Sequence, residues 1–305
     1  MSYEVGDESV KRGGALEPAK TTEIVANSSP EPAEEELSFL DHLEELRWHV
    51  LRAVASIFIF AIIAFIFGDF IFDHVLFAMK NPDFITYQIM CKIAVKLGTP
   101  ALCIDKFPYE IIALKPITQF AIHLQTSAAV GFILGFPYAF WEIWRFVQPG
   151  LHNNERSVSR GAVLAVSFLF LCGVSFGYFI LSPISLNFLA NYQIGEINAV
   201  ANQFALADYI SVIMMLTLSA GIMFQLPMVV YFLSKVGIVT PTMMKEYRRH
   251  SIVIVLLISA IITPPDVFSQ VLIALPISVL YEISIRVSAR VHKKMLKDSK
   301  KFMES

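Results

Sequence analysis

Charge is what this 305-residue sequence has least of: Asp, Glu, Lys and Arg together make up 16% of it, where a soluble domain carries about 25%. Hydrophobic residues make up 55%, and the mean hydropathy is +0.60. That balance excludes an ordinary water-soluble domain and places the chain in the membrane class. Cysteine is scarce, with three residues beside seven histidines. None of them shows a C-x-x-C or H-E-x-x-H spacing, so no metal site is expected. The phosphate-cradling patterns G-x-x-x-x-G-K-[ST] and G-x-G-x-x-G are missing too. There is no G-x-S-x-G, and no Asp pair in an apolar run suggests intramembrane proteolysis. The reading is therefore of a non-enzyme with no cofactor, whose work would draw on a gradient or a partner. A net charge of −2 gives no reason to expect nucleic acid. A basic start followed by a short apolar run is also absent, so no cleavable signal is expected. Residues 1–36 are acidic and rich in Ser, Pro, Ala and Glu, and read as a disordered cytoplasmic tail.

What the chain does have is long apolar runs. Crossing a hydrocarbon core takes about 20 residues. Val50–Gly68, Ile117–Phe140, Gly161–Leu181 and Tyr209–Ser234 meet that length. Two shorter runs, Ser251–Thr263 and Val267–Ile285, flank the turn Pro264-Pro265-Asp266. Thirteen residues rise only about 20 Å, so either the fifth helix starts earlier or the bilayer thins around this hairpin. The expected architecture is all-α with six transmembrane helices.

Lys and Arg orient the spans. The second connection holds Arg145, Arg156 and Arg160, and the fourth holds Lys235, Lys245, Arg248 and Arg249. Arg286, Arg290, Lys293, Lys294, Lys297, Lys300 and Lys301 follow the last span. The third and fifth connections contain neither residue type. Six crossings put all the basic segments on one side, the cytoplasm, together with both termini. The first connection carries Lys80, Lys92, Lys96, Lys106 and Lys115, but it is long, and long loops weigh little in this rule. That loop is then extracytoplasmic and oxidising. A Cys91–Cys103 disulfide there would be worth about 3 kcal/mol on the chain-entropy model; two free thiols are the alternative. Cys172, inside an apolar run, reads as a packing residue.

Four stretches carry the candidate chemistry. From Ser38 to Leu51, a capping-box start precedes a helix whose Phe39, Leu43, Leu46 and Val50 share one face within about 60°. Asp41 and Glu45 share the opposite face with His49 and Arg52. Acids at a helix start favour the dipole, which accounts for Asp41. Glu45 costs like-charge repulsion at i, i+4 and so suggests a cationic partner. In the second stretch, Phe136 to Arg156, Trp141 and Trp144 mark a membrane interface. Pro149-Gly150 and Asn153-Asn154 signal turns. Glu155 sits among basic neighbours, where a local salt bridge is the simpler account. Glu142, like Glu282, lies near a cytoplasmic helix end, where it is expected to reach water. The third stretch is Thr263 to Gln270, a turn in which Asp266 caps the next helix and Ser269 and Gln270 seek partners within the protein. The fourth is Phe224-Gln225-Leu226-Pro227. A mid-membrane amide needs a polar partner, in this chain or another, and Pro227 should bend the span and leave a notch.

Taken together, these stretches resemble the TatC family. His42-Leu-Glu-Glu-Leu-Arg47 resembles its H-L-x-E-L-R element, Phe146 to Arg156 its F-x-x-P-x-L-x-x-x-E-R loop, and Thr263 to Gln270 its T-P-P-D-x-x-S-Q hairpin. The resemblance covers roughly residues 37–290, leaving a basic cytoplasmic tail at 291–305. It implies a concave, glove-like arrangement of six helices in the inner (cytoplasmic) membrane. It also implies a receptor for twin-arginine signal peptides on folded proteins. That receptor would assemble with single-span TatA- and TatB-type subunits in a multi-subunit complex powered by the proton-motive force. By the same resemblance Glu45 and Glu155 would accept the guanidinium groups, with Arg47, Phe146, Pro149 and Leu151 shaping the site. Gln225, Pro227, Asp266, Ser269 and Gln270 would form docking surfaces for partner helices. Family members often carry Glu where Gln225 stands, and Gln cannot titrate. The competing reading is a six-span transporter or channel, which ordinarily places ionisable residues mid-membrane and shows repeated halves. The third and fourth spans here are uncharged, and no repeat is visible.

Overall fold

The structure is a computed structural model. It describes residues 39–96, 98, 110–147, 156–192, 203–263 and 267–304; side chains are described from Glu44 onward, except those of 147, 156–160, 267–269 and 298–304. The principal helices are α1 (Phe39–Ile66), α4 (Thr118–Val147), α5 (Arg156–Phe176), α7 (Leu206–Met223), α8 (Leu226–Lys235), α10 (Arg248–Ile262) and α11 (Val267–Glu304). Shorter helices are α2 (Gly68–Phe70), α3 (Ile85–Lys96), α6 (Ser182–Asn191) and α9 (Pro241–Glu246). Five helical segments have the length and composition to cross a membrane: Glu44–Ile66, Thr118–Phe146, Gly161–Asn191, Leu206–Lys235 and Gln270–Lys297. They match five of the six runs read from the sequence. The remaining helix, α10, does start earlier than its apolar run, at Arg248, but its 15 residues still span only about 22 Å.

Helix pairs approach closely where side chains vanish. α1 runs antiparallel to α4, and a Cβ on Gly131 would lie 2.5 Å from the backbone nitrogen of Ala61. α5 runs antiparallel to α7, and a Cβ on Gly173 would sit 2.6 Å from the carbonyl oxygen of Ala220. Lipid tails are as apolar as Leu, so helices gain little from burying apolar area; close backbone contact between small residues supplies dispersion instead. This also decides which face of α1 points inward. Ala53 and Ala64 are buried, whereas Val50 is 44% exposed. Val50, which an aqueous protein would hide, faces outward here, and His49 packs inside. In each of the five spanning segments only 17–39% of the central window is buried, leaving a large apolar surface for lipid or partners.

Residues 71–80 wind as a π-helix, Ile71–Leu76, then a 3₁₀ turn, Phe77–Lys80. Departures from i→i+4 geometry leave carbonyls that need donors, and three tyrosines supply them. Tyr178 Oη donates to Val75 O at 2.6 Å, Tyr209 Oη to Leu76 O at 2.8 Å, and Tyr87 Oη to Met79 O at 3.2 Å. Thr86 adds a hydroxyl bond to Phe179 O. Leu76, Met79, Tyr87, Leu186, Tyr209, Ile210 and Ile213 fill the core at this end. A short parallel pair, β1 (Glu110–Ile112) with β2 (Gln203–Ala205), ties the first connection to the third. The all-α expectation therefore holds for the bulk of the described residues, with this three-residue ladder as an addition no strand pattern announced. Cys91 is disulfide-bonded and Cys172 is free; Cys103 lies outside the described residues.

At the opposite end, the C-terminal ends of α4 and α8 meet through Trp144 and Phe232, with ring centroids 4.7 Å apart. Ser234 on α8 bonds Ser288 on α11 at 2.8 Å, and Tyr281 on α11 donates to Met244 O on α9 at 2.9 Å. α11 has 38 residues, about 57 Å of rise. It runs far past Ile285, where the apolar run ends, and carries the basic tail as continuous helix.

Candidate functional site

The site forms where the start of α1 lies against the end of α4. The helix of α1 begins outside the long apolar window and continues into it without a break, so Glu45, His49 and Arg52 rise along one side. Glu45 has a half-exposed side chain, 47% accessible, and its Oε1 lies 3.9 Å from Nε2 of His49. His49 is itself 6% exposed. Its Nδ1 meets Oε2 of Glu142 at 2.6 Å. Glu142 is 2% exposed and accepts a second bond, 2.9 Å, from the hydroxyl of Tyr138 one turn earlier. The ring of Phe146 stands 6.3 Å from the His49 ring, tilted by 51°. Arg145, next to Phe146, lies over the Trp141 ring at 5.8 Å. Arg47 is exposed and Phe146 half-buried.

Two features were not anticipated. Glu142 was expected to reach water; it is buried, because α1 lies directly over that face of α4. His49 was placed only as a neighbour of Glu45, yet it is the residue through which both carboxylates meet. A buried carboxylate persists where donors surround it, and here the imidazole and the Tyr138 hydroxyl do so. The signal was present: His49 is four residues from Glu45, and Tyr138 four from Glu142. The pairing of 49 with 142 is long-range and had no sequence mark. Glu155, Pro149 and Leu151 lie outside the described residues, beyond the end of α4 at Val147. The structure thus joins Glu45 to Phe146 through His49 and leaves the other half of the expected site undescribed.

The second candidate surface is more dispersed. Gln225 sits in the break between α7 and α8, where Phe224 and Gln225 form a turn and Pro227 occupies the first turn of α8. The helix break falls beside Pro227, where the sequence places a bend. The side-chain Nε2 of Gln225 donates to Val166 O on α5 at 3.0 Å, and its Oε1 is buried with no hydrogen-bond partner among the described residues. Gln270 donates from Nε2 to Leu256 O at 3.1 Å, joining α11 to α10. Asp266 lies outside the described residues, as does the side chain of Ser269. Glu282, by contrast with Glu142, does reach solvent: it is 43% exposed and pairs with Arg248 at 2.7 Å.

Known proteins resemble this chain in sequence and in fold. The family model for the Sec-independent protein translocase protein (TatC) matches residues 41–276. The TatC protein of Blattabacterium sp. subsp. Periplaneta americana (strain BPLAN) is 40% identical over 261 residues, covering 85% of this chain and 97% of the relative. TatCd of Bacillus subtilis (strain 168) is 33% identical over 263 residues, covering 86% and 96%. A crystal structure of the twin arginine translocase receptor TatC superposes with a TM-score of 0.61 at 33% identity, covering 82% of this chain and 99% of that one. The chain is a multi-pass membrane protein belonging to the TatC family of Sec-independent protein translocase proteins.

Proposed function

We propose that this chain is the receptor subunit of a twin-arginine translocase, binding paired-arginine signal peptides of folded proteins at the cytoplasmic face through Glu45 and Glu155. The observation that carries the reading is the Glu45 carboxylate itself. It is half-exposed, on the first turns of a helix entering the membrane, and set against a buried His–Glu pair and the Phe146 ring. Guanidinium is always charged, planar and weakly hydrated. A carboxylate whose backbone is fixed by close helix packing can accept it as a bidentate pair, and a neighbouring aromatic face can stack on it. Glu155 follows Val147 by eight residues in the sequence, immediately ahead of α5, and a turn through Pro149 and Leu151 would return it toward the same patch.

The rest of the topology follows the same reading. Six crossings with both termini cytoplasmic fit the basic segments, and the bilayer would thin where α10 provides only 15 residues. The Cys91 disulfide partner would be Cys103. Gln225, with an unpaired buried oxygen, and the outward apolar face of α10, including Val253, Leu257 and Ile261, would receive TatA- and TatB-type single-span helices. Transport would draw on the proton-motive force, with no catalysis by this chain. The test is photo-crosslinking from positions 44 and 48, exposed residues beside Glu45, to signal peptides bearing paired Arg or paired Lys. Strong, Arg-preferring crosslinks from both positions are expected; crosslinks from neither would sink the assignment.

A further inference from the structure

His49 touches two carboxylates with its two ring nitrogens. Nδ1 is 2.6 Å from buried Glu142, and Nε2 faces half-exposed Glu45 at 3.9 Å. Glu142 also accepts the Tyr138 hydroxyl. An ionised carboxylate only accepts, so Nδ1 carries the hydrogen it shares with Glu142. A neutral imidazole has a single N–H. With that hydrogen committed to Glu142, Nε2 turns a lone pair toward Glu45, and nothing on His49 competes for the Glu45 carboxylate. In imidazolium both nitrogens donate, and Nε2–H becomes a charged donor aimed at Glu45.

We propose that His49 is a proton-linked positioning residue for the peptide site: Glu142 fixes its ring and tautomer, and its charge state decides whether Glu45 is available to an incoming guanidinium. The inference rests on the receptor reading above and adds its regulation. A proton on His49 and a guanidinium on Glu45 are two cations sharing one anion. Each weakens the other, and the coupling is reciprocal. Acidification therefore weakens peptide binding, and bound peptide expels the proton. The other charged or titratable groups at this spot are Arg52 on α1 and Tyr138 and Arg145 on α4. The Arg52 charge acts on both Glu142 and Tyr138, and that of Arg145 on Tyr138. Arginine does not titrate in the neutral range, and free carboxyls titrate below it. Imidazole is the side-chain type that can exchange a proton there. A purely structural histidine would bind the two helices together without imposing a pH slope on ligand affinity.

The test measures fluorescence anisotropy of a labelled twin-Arg signal peptide on the full chain in nanodiscs, from about pH 8 down to about pH 5.5. Wild-type affinity is expected to fall by about fivefold or more over that range, as one added cation a few ångströms from Glu45 implies. H49Q keeps a donor for Glu142 but cannot gain a charge, and its affinity is expected to stay level. Should H49Q fold poorly, ¹⁵N-histidine spectra of the wild-type chain decide. Saturating peptide should move one ring resonance toward the neutral form at about pH 6. Equal slopes for wild type and H49Q, or no ring resonance that responds to peptide, would overturn the proposal while leaving the receptor reading in place. Absence of wild-type binding at about pH 8, or E45Q binding as wild type does, would overturn the receptor reading and this inference with it.

Discussion

Around residues 71–80, three tyrosine hydroxyls and a threonine reach irregular backbone carbonyls, and a dense apolar core closes over them. Near the start of α1, the contacts of the described side chains include ionic ones: one short His–Glu bond inside, and a looser His–Glu approach at the surface. The first end is held by groups that cannot change charge in the neutral range. The second is held by ionisable side chains, and its outermost acid is left half in water. The contrast separates a fixed scaffold from the surface proposed to bind peptide. Irregular backbone buried in protein must have its carbonyls bonded, which accounts for the first. A site for a charged ligand must keep an unsatisfied charge within reach of solvent, which accounts for the second.

That contrast can be broken most sharply at Glu45. Replacing it with Lys reverses the charge next to His49, and a twin-Arg peptide should bind on the order of a hundredfold more weakly or not at all. Membrane insertion and thermal unfolding should stay near wild type. The same change at position 155 should block export of a folded twin-Arg reporter, and normal export in the double variant would remove both acids from the site. Next in size is Gly131→Leu. A side chain there meets the Ala61 backbone, so α1 must move off α4, at a cost of about 3 kcal/mol or more. Thermal unfolding in detergent should fall accordingly, and peptide binding should fail with it, because Glu45 and Phe146 no longer share a patch.

Smaller effects sharpen the scaffold side. Tyr209→Phe leaves Leu76 O without its donor and should cost about 1 kcal/mol, read as a lowered unfolding midpoint with unchanged peptide affinity. A change in affinity would show that the two ends are coupled. The smallest effect is expected from Gln225→Leu. It loses the bond to Val166 O but also removes a buried, unpaired oxygen, so the net stability change should stay within about 1 kcal/mol. Weakened association with a TatA- or TatB-type helix, measured by crosslinking, would then isolate a docking role for that amide.

Much of this could be read before any coordinates. The lengths of the apolar runs, the brevity of α10, the bend at Pro227 and the continuity of α1 into its span all follow from residue type and spacing. They are local properties: rise per residue, proline's missing donor, and the hydrocarbon thickness are the same in any context. The family motifs around Glu45, Phe146 and Gln270 were likewise visible. What spacing could not state is which face of α1 turns inward. Amphipathicity locates an interior only when the surroundings are water. Where the solvent is hydrocarbon, Val50 gains nothing by turning inward, and His49 gains a partner.

The sequence by itself determined that the chain enters the membrane repeatedly and roughly where each helix begins and ends. Tertiary structure alone decided that Glu142 is buried, that His49 lies between it and Glu45, and that the stretches around residues 75, 178 and 209 close on one another. The reason is distance along the chain. Residues 49 and 142 are brought together by glycine and alanine at the α1–α4 contact, and no local rule of spacing or charge states which helix a given small-residue face will choose.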